Sequence, residues 1–343
     1  MDSSQIYATD VHKDINLHTS IKIVQIILAN RKVSGAPCPL DSYCPECSDE
    51  LLEKIYPIVN SMKQIEFVIP AFPFSAPNQR KTFGKFIPDR AELLSMEHLQ
   101  RFCLQIQSIY PPGAKIIIAT DGDVFHRVMS YWFDVPDGVP DKYIMLLKKM
   151  ISSIGAQNVI SIWGLRDAYH YEDVNECRAR MIEDFPTSYD EMSAKIKQPD
   201  SAELLAYLGQ KRYITNDGFD SSAASKLSHK KIKSISGDLA CQAIYLAEAW
   251  GHRISLEFPE AIRLSAHPYP AHFKGKMGIC LTDTREEWIT PWHGVAVYYT
   301  SVEKWEIMKN YKAKELSKEL VYNADGQPDY YISDAVPSSI NKH

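Results

Sequence analysis

The sequence predicts an α/β fold, Rossmann-like, with a largely parallel or mixed sheet, helices on both faces and a mainly helical insertion in the middle of the chain. Three observations predict it. Residues 65–69, 115–119 and 158–163 are short apolar runs rich in isoleucine and valine, the length and composition of buried strands. Segments with helical spacing separate them, and alternation of that kind argues for parallel strands joined by crossover helices. The first two runs empty into polar loops, and in an open parallel sheet ligands gather where loops leave the carboxyl ends of strands.

The elements follow in order. Residues 15–30 place Ile21, Ile23, Val24, Ile27 and Leu28 near helical spacing, which predicts a helix. Pro and Gly break it in RKVSGAPCPLDSYCPECSDE (31–50), a loop carrying Cys38, Cys44 and Cys47, the last two as a CxxC pair. A zinc site there needs a fourth ligand. No second CxxC follows and no histidine pair stands at finger-like spacing, so plain loop cysteines outweigh a metal site and no metal is expected. Ser48 is the expected N-cap of a second helix, with acids in its first turn. After strand 65–69, residues 96–109 put Leu99, Phe102, Cys103, Ile106 and Ile109 on one helical face, and Pro111 and Pro112 stop that helix before strand 115–119. Residues 141–154 read as helix and 158–163 (NVISIW) as a third strand.

From about 171 to 233 the chain is polar and charged, with helical patches such as VNECRARMIEDF and SAELLAYLGQKRY and no strand; it is either a cap over the sheet or an ordinary helical layer. Residues 217–229 (DGFDSSAASKLSH) read as a small-residue loop. Residues 236–250 form an apolar helix, and 258–264 lead to Arg263, Ser265 and His267. Residues 277–281 and 292–299 are expected to pair as a hairpin at one sheet edge. A charged helix over 301–320 and a turn at Asp325-Gly326 end the reading.

Composition removes several function classes. The length of 343 residues suits one large α/β domain or two smaller ones. A net charge of −5 leaves no electrostatic footprint for nucleic acid. No apolar run approaches the ~18 residues that span a bilayer, so no membrane partner is expected. The polar, acidic start is unlike a secretory signal, and seven cysteines, an odd number with four of them widely scattered, fit a reducing compartment, so the expected location is the cytoplasm. Neither a Walker loop nor a GxGxxG loop is present.

The most informative stretch runs from Phe67 to Phe125. The loop after its first strand carries Pro70, Pro73, Pro77, Asn78, Arg80, Lys81, Lys85, Pro88 and Asp89; the loop after its second carries Thr120, Asp121, Gly122 and Asp123. A proline-dense loop is stiff and holds polar groups at low entropic cost. Five segments, FVIPAFPFSAPN (67–78), GKFIPDRAE (84–92), IYPPGAKIIIATDGDVF (109–125), FPEAIRLSAHP (258–268) and ITPWHGVAV (289–297), together resemble the isocyanide (isonitrile) synthases, the family of the pyoverdine/dityrosine biosynthesis proteins. The segments stand in the family's order and span most of the chain. Ser75 departs from the family, which often has a lysine after that Phe-Pro step, and Lys81 is the nearest lysine able to supply the missing charge. Residues 123–127 also differ from the family pattern.

The resemblance implies a carbon–nitrogen condensation. An amino acid, aromatic and either tyrosine or tryptophan, supplies the amine; ribulose 5-phosphate supplies one carbon from its ketone; the product is an isocyano acid. It implies no redox cofactor and no metal, and a separate iron/2-oxoglutarate oxygenase acting in the same pathway. On that basis residues 1–64 are an N-terminal helical segment with a Cys-containing loop, and 65–335 an α/β catalytic domain in which 170–235 is the helical insertion or cap. Such a reaction asks for an anion clamp, proton shuttles and a partly closed site. Arg80, Lys81 and Lys85, with Arg90 nearby, are candidates for the phosphate, and Arg263 for the phosphate or the amino-acid carboxylate. Clustered cations are otherwise a solvated patch. His267 and His293 are candidate proton carriers, against the plainer reading of hydrogen-bonded core histidines. Asp121 is a candidate base or amine acceptor, Asp89 a lesser one, and both can instead be turn or cap residues. Ser75 and Asn78 are candidates for sugar hydroxyls. Two other functions stay open: a cofactor-independent sugar-phosphate lyase or transferase, and a non-catalytic, zinc-stabilised binding protein built on Cys38, Cys44 and Cys47.

Overall fold

The computed structural model describes residues 3–32, 44–267, 275–283 and 289–335, with side chains from residue 15 onward. Five strands, β1 (Ile65–Pro70), β2 (Ala114–Ala119), β3 (Ile160–Trp163), β4 (Ile262–Ser265) and β5 (Lys276–Gly278), form an all-parallel sheet in the order β3-β2-β1-β4-β5. The α/β class follows. β1 is central, pairing Val68 with Ile117 of β2 and Phe67 with Ile262 of β4. Both faces of such a strand are covered, which is why its sequence is a continuous apolar run rather than an alternation.

The two faces are nevertheless distinct, because successive side chains point to opposite sides. Phe67, Ile69, Ile116 and Ile118 enter one core, with Ile23 and Ile27 of α1 (Ser3–Ala29), Leu51 and Ile55 of α2 (Pro45–Asn60), Leu99 and Phe102 of α3 (Arg90–Gln107). Val68, Ile117 and Ala119 enter the other. There they meet Val124 of α4 (Gly122–Met129) and, further along the chain, Leu239 and Trp250. After α4 come α5 (Val139–Ser153), which adds Tyr143 and Leu147 to the first core, and α6 (Leu165–Tyr169). Then α7 (Val174–Asp184), α8 (Tyr189–Ile196), α9 (Ala202–Asp220) and α10 (His229–Glu257) make a helical layer on the second face.

A second sheet, in the order β7-β6-β9-β8, contains β6 (Val295–Tyr299), β7 (Lys304–Met308), β8 (Glu319–Tyr322) and β9 (Pro328–Ser333), with the short α11 (Asn310–Leu316) between β7 and β8. It is mixed: β6 is antiparallel to β7 and parallel to β9. This corrects two expectations. Residues 277–281 and 292–299 do not form a hairpin, since β5 joins β4 in the first sheet and β6 belongs to the second, beyond a 3-10 turn at Pro291–His293. Residues 301–320 are not one helix: Trp305 and Ile307 alternate with Lys304 and Glu306 in a strand, a period-2 pattern masked by its charges.

Three boundaries also move. α2 starts at Pro45, with Cys44 as its N-cap residue and proline in the first turn, and Ser48 is buried inside it. α10 runs for 29 residues, capped by Ser228 Oγ accepting from Lys231 N, well beyond 236–250. The start of 217–229 is the last turn of α9 rather than loop. Among the described residues no helix is long and apolar enough to cross a membrane.

Candidate active site

In the first sheet the strand order reverses between β1 and β4, and the crevice outside their carboxyl ends is where an open α/β sheet takes its ligand. The loop that leaves β1, residues 71–89, is fixed before it reaches that crevice. Phe72 has a left-handed φ of 60°, and its ring packs edge-on to Trp292 at 4.9 Å. Ala76 N donates to Trp292 O at 2.8 Å, and Thr120 Oγ1, at the end of β2, donates to Phe72 O at 2.9 Å. Gly122 approaches so closely that a Cβ built on it would stand 2.1 Å from Pro73 O. The β1 and β2 exit loops are thus packed backbone to backbone.

The far end of the loop is closed on a buried carboxylate. Ser75 Oγ lies 2.8 Å from Ile87 O and 2.9 Å from Glu92 Oε1; Tyr143 Oη donates to the same oxygen at 2.9 Å, and Asp89 N to Oε2 at 2.9 Å. Asp89 is the N-cap of α3, accepting from Ala91 N, with Glu92 completing a capping box. Burial raises both acids, and the neighbouring Glu92 charge raises Asp89 further, so this pair retains a proton more readily than a solvated one.

Between these anchors the basic residues meet the helical layer. Lys81, 6% exposed, places Nζ 2.7 Å from Asp217 Oδ1 on α9. The contact is a buried ion pair. The same ammonium lies 3.3 Å from the ring centroid of Tyr213, also on α9. Asn78 Nδ2 donates to Asp217 Oδ1 at 2.7 Å and to Asp220 Oδ2 at 2.9 Å, and Arg80 Nε lies 3.5 Å from Asp220 Oδ1. The Lys81 pKa is lowered by burial, opposed by Asp217 and reinforced by Lys309.

His293 stands beside this cluster in the 3-10 turn before β6. Its ring centroid is 4.8 Å from that of Tyr213, and its Nδ1 is 2.8 Å from Thr290 Oγ1. Burial first, then the charges of Lys81, His267 and Lys309, hold it well below the usual imidazole range. His267 follows β4. Packing around the ring, then the charges of Lys32 and Lys276, lowers its pKa below the ordinary imidazole value. Asp121 ends β2. Its Oδ1 is enclosed with no hydrogen-bond partner among the described residues, and burial pushes its pKa to about 7.

Asn78, Arg80, Lys81 and His293 are therefore brought together, with His267 close enough to act on His293, and Asp121 borders the same loop. Five candidates are placed elsewhere. Ser75 and Asp89 turn into the buried Glu92 network. Lys85 reaches Gln327 Oε1 at 2.7 Å, on the approach to β9. Arg263 turns onto α10, its Nη1 donating to Gly251 O at 3.0 Å and Ser255 Oγ at 2.8 Å. Arg90 pairs with Asp329 at 2.9 Å. Tyr213, Asp217 and Asp220 were missed. Their 0, +4, +7 spacing on one helix face was the available signal, in a stretch whose end read as loop. Among the described residues no group of three or more His, Cys, Asp or Glu is placed to hold a metal, and Cys38 lies outside them.

Comparison with known proteins gives three findings. The family model described as pyoverdine/dityrosine biosynthesis protein matches residues 55–321. The L-tyrosine isonitrile synthase of Xenorhabdus nematophila is 33% identical over 288 residues, 83% of this chain and 82% of that one; the L-tryptophan isonitrile synthase AmbI2 of Fischerella ambigua is 30% identical over 317 residues, 91% of each. The crystal structure of the PvcA protein from Pseudomonas aeruginosa superposes with a TM-score of 0.81 at 31% identity, covering 92% of this chain and 99% of that one.

Proposed function

The chain belongs to the family of pyoverdine/dityrosine biosynthesis proteins, and from that premise we propose that it is an isonitrile synthase joining the amine of tyrosine or tryptophan to the ketone carbon of ribulose 5-phosphate. The observation that supports this reading is the cluster on the β1 exit loop, where Asn78, Arg80 and Lys81 pair with Asp217 and Asp220 and Lys81 shares the Tyr213 ring with the imidazole of His293. Cations for a phosphate and proton carriers for imine chemistry occupy one crevice.

The residues divide the work by charge. Lys81, Arg80 and the Asn78 amide are held by Asp217 and Asp220, and a phosphate dianion competes for the same donors with charge-assisted bonds. The amino acid must shed an ammonium proton before its nitrogen attacks the ketone. Asp121, with a pKa of about 7, accepts that proton at neutral pH. Attack gives a carbinolamine; the C–O bond then breaks, the C=N bond forms, and water leaves once the departing hydroxyl has received a proton, which Asp121 now carries. His293, kept neutral by its surroundings, is the base for the tautomerisation of the sugar carbons. The two C–C bonds at the former ketone carbon then break, C1 leaving as formaldehyde and C3–C5 as a three-carbon hydroxyketone whose phosphate has been eliminated. With the water already released, the atoms balance without an oxidant. The isocyano acid would then pass to a separate iron/2-oxoglutarate oxygenase.

The test is incubation of dialysed protein with tyrosine or tryptophan and ribulose 5-phosphate labelled at its ketone carbon. The expected result is an isonitrile stretch in the infrared that shifts with the label. Turnover without labelled carbon in the product, or turnover only after a redox cofactor is added, sinks the reading.

A further inference from the structure

Tyr213 has no part in the chemistry above, yet it touches two groups that do. It lies in the second half of α9, with the Lys81 ammonium 3.3 Å from its ring centroid and the His293 ring 4.8 Å away at an interplanar angle of 48°. Asp217, one helical turn further on the same face, pairs with Lys81 at 2.7 Å. Thr290 Oγ1 fixes Nδ1 of the same histidine at 2.8 Å, and Ala76 N bonds Trp292 O at 2.8 Å, so the basic loop and the histidine turn are tied together beside the ring. Three elements remote in sequence converge here: loop 71–89, the cap helix, and the turn before β6.

A ring so placed acts on both neighbours. Its π face attracts an ammonium, most strongly where water is excluded, and Lys81 is buried. Its bulk also keeps water from the imidazole. We propose that Tyr213 is a positioning residue: through its ring, the helical cap holds the Lys81 ammonium and the His293 imidazole in a fixed relation, which makes the cap part of the reaction site. The proposal rests on the reading of this crevice as the site of a condensing enzyme.

The groups that set the charge of His293 are Lys81 from the loop, His267 after β4, Lys309 before α11 and, through Lys81, Asp217 of α9. Loss of the ring admits water and frees Lys81, so the imidazole pKa climbs back toward its ordinary value. The experiment is an NMR titration of labelled histidine in the wild type, Tyr213→Phe and Tyr213→Leu, with His293→Gln to assign the signal, alongside pH profiles of kcat and kcat/KM. In Tyr213→Leu the His293 midpoint should rise by about one pH unit, the acidic limb of kcat/KM should move with it, and kcat/KM at neutral pH should fall about tenfold to thirtyfold. Tyr213→Phe, which keeps the ring, should restore most of that loss. Two outcomes overturn the proposal: activity lost in Tyr213→Leu with the His293 titration unmoved, or Tyr213→Phe as damaged as Tyr213→Leu. If leucine prevents folding, Tyr213→Met fills the space with a flexible apolar chain and should show the same shift. The titration needs no substrate. A shifted midpoint in a protein inert toward both amino acids keeps the clamp and sinks the isonitrile reading; an unshifted midpoint in an active one does the reverse.

Discussion

Asp121 carries an enclosed carboxyl oxygen at the end of a buried strand, and that placement has consequences for stability as well as for chemistry. Unfolded, an aspartate titrates near pH 3.9; in the folded chain burial pushes it to about 7. Between about pH 4 and pH 7 the folded state therefore binds more protons than the unfolded one, and stability falls as pH rises through that window. Asp121→Asn removes the titration. Its melting temperature should exceed the wild type's at pH 8, with the gap closing below pH 4, while kcat falls by about a hundredfold or more. Melts across that range decide it; a gap that does not grow with pH would show the carboxylate to be well solvated. His267 and His293 work in the opposite sense: their pKa values are lowered, so their contribution is intact above about pH 6.5 and is lost as pH falls. Lys81→Ala should weaken use of the sugar phosphate about ten- to a hundredfold, with a much smaller effect on the amino acid, as measured by separate KM values. Residue types and motifs singled out Asp121, Asn78, Lys81 and His293 as candidates from the sequence. The direction of a side chain was not legible: Ser75, Lys85 and Arg263 point where Glu92, Gln327 and α10 take them, and none of those partners is evident from the local sequence.

At the scale of elements, the reading succeeded where local period and burial agree. β1, β2 and β3 are short runs dominated by apolar residues, and their lengths separate them from helices. It failed at β5, three residues long, whose pairing with β4 is decided by tertiary context, and at α4, whose first turn was taken as loop. Gly122, the first residue of α4, explains why the local pattern there is unusual. The chain can bring Asp121 against the β1 exit loop only because Gly122 has no Cβ: one added would meet Pro73 O at 2.1 Å, Pro73 C at 3.0 Å and the Pro140 Cβ at 3.2 Å. The first two of these are backbone, so no flexible side chain can yield to relieve them. Gly122→Ala should lose about 1–3 kcal/mol of stability and displace Asp121 from the loop, lowering kcat in the part of the population that still folds. Denaturant unfolding measures the first effect and turnover per folded molecule the second. A variant with unaltered stability would mean that the two loops separate without cost.

At the scale of the whole molecule, the basic loop is held from three sides: by the parallel sheet beneath it, by α9 of the helical layer, and by the second sheet. The last contact was illegible in the sequence because its partners lie more than two hundred residues apart. Asn310, 2% exposed at the start of α11, donates through Nδ2 to Gln79 O at 2.7 Å and Thr82 O at 2.9 Å, and its backbone N donates to Lys81 O at 2.9 Å. Its Oδ1 in turn accepts from Tyr331 Oη of β9 at 2.9 Å, and the next residue, Tyr311, donates its N–H to Arg80 O at 3.1 Å. One amide thus splints the backbone that carries Arg80 and Lys81 to the second sheet. In Asn310→Ala, Gln79 O, Thr82 O and the Tyr331 hydroxyl all lose a partner. Leaving buried polar groups unsatisfied costs about 1–3 kcal/mol apiece when no water replaces the donor. The mutation leaves Asp121 and the imidazoles untouched, so its kinetic effect should fall on binding: KM for ribulose 5-phosphate should rise severalfold or more, with kcat and KM for the amino acid changed far less. Asn310→Asp tests the donor directly, because it keeps size and shape but sets a carboxylate against two carbonyl oxygens, and it should be worse than alanine in both stability and KM. Equal effects on the two KM values would show that the second sheet supports the crevice as a whole, and that the phosphate-binding loop has no private anchor in it.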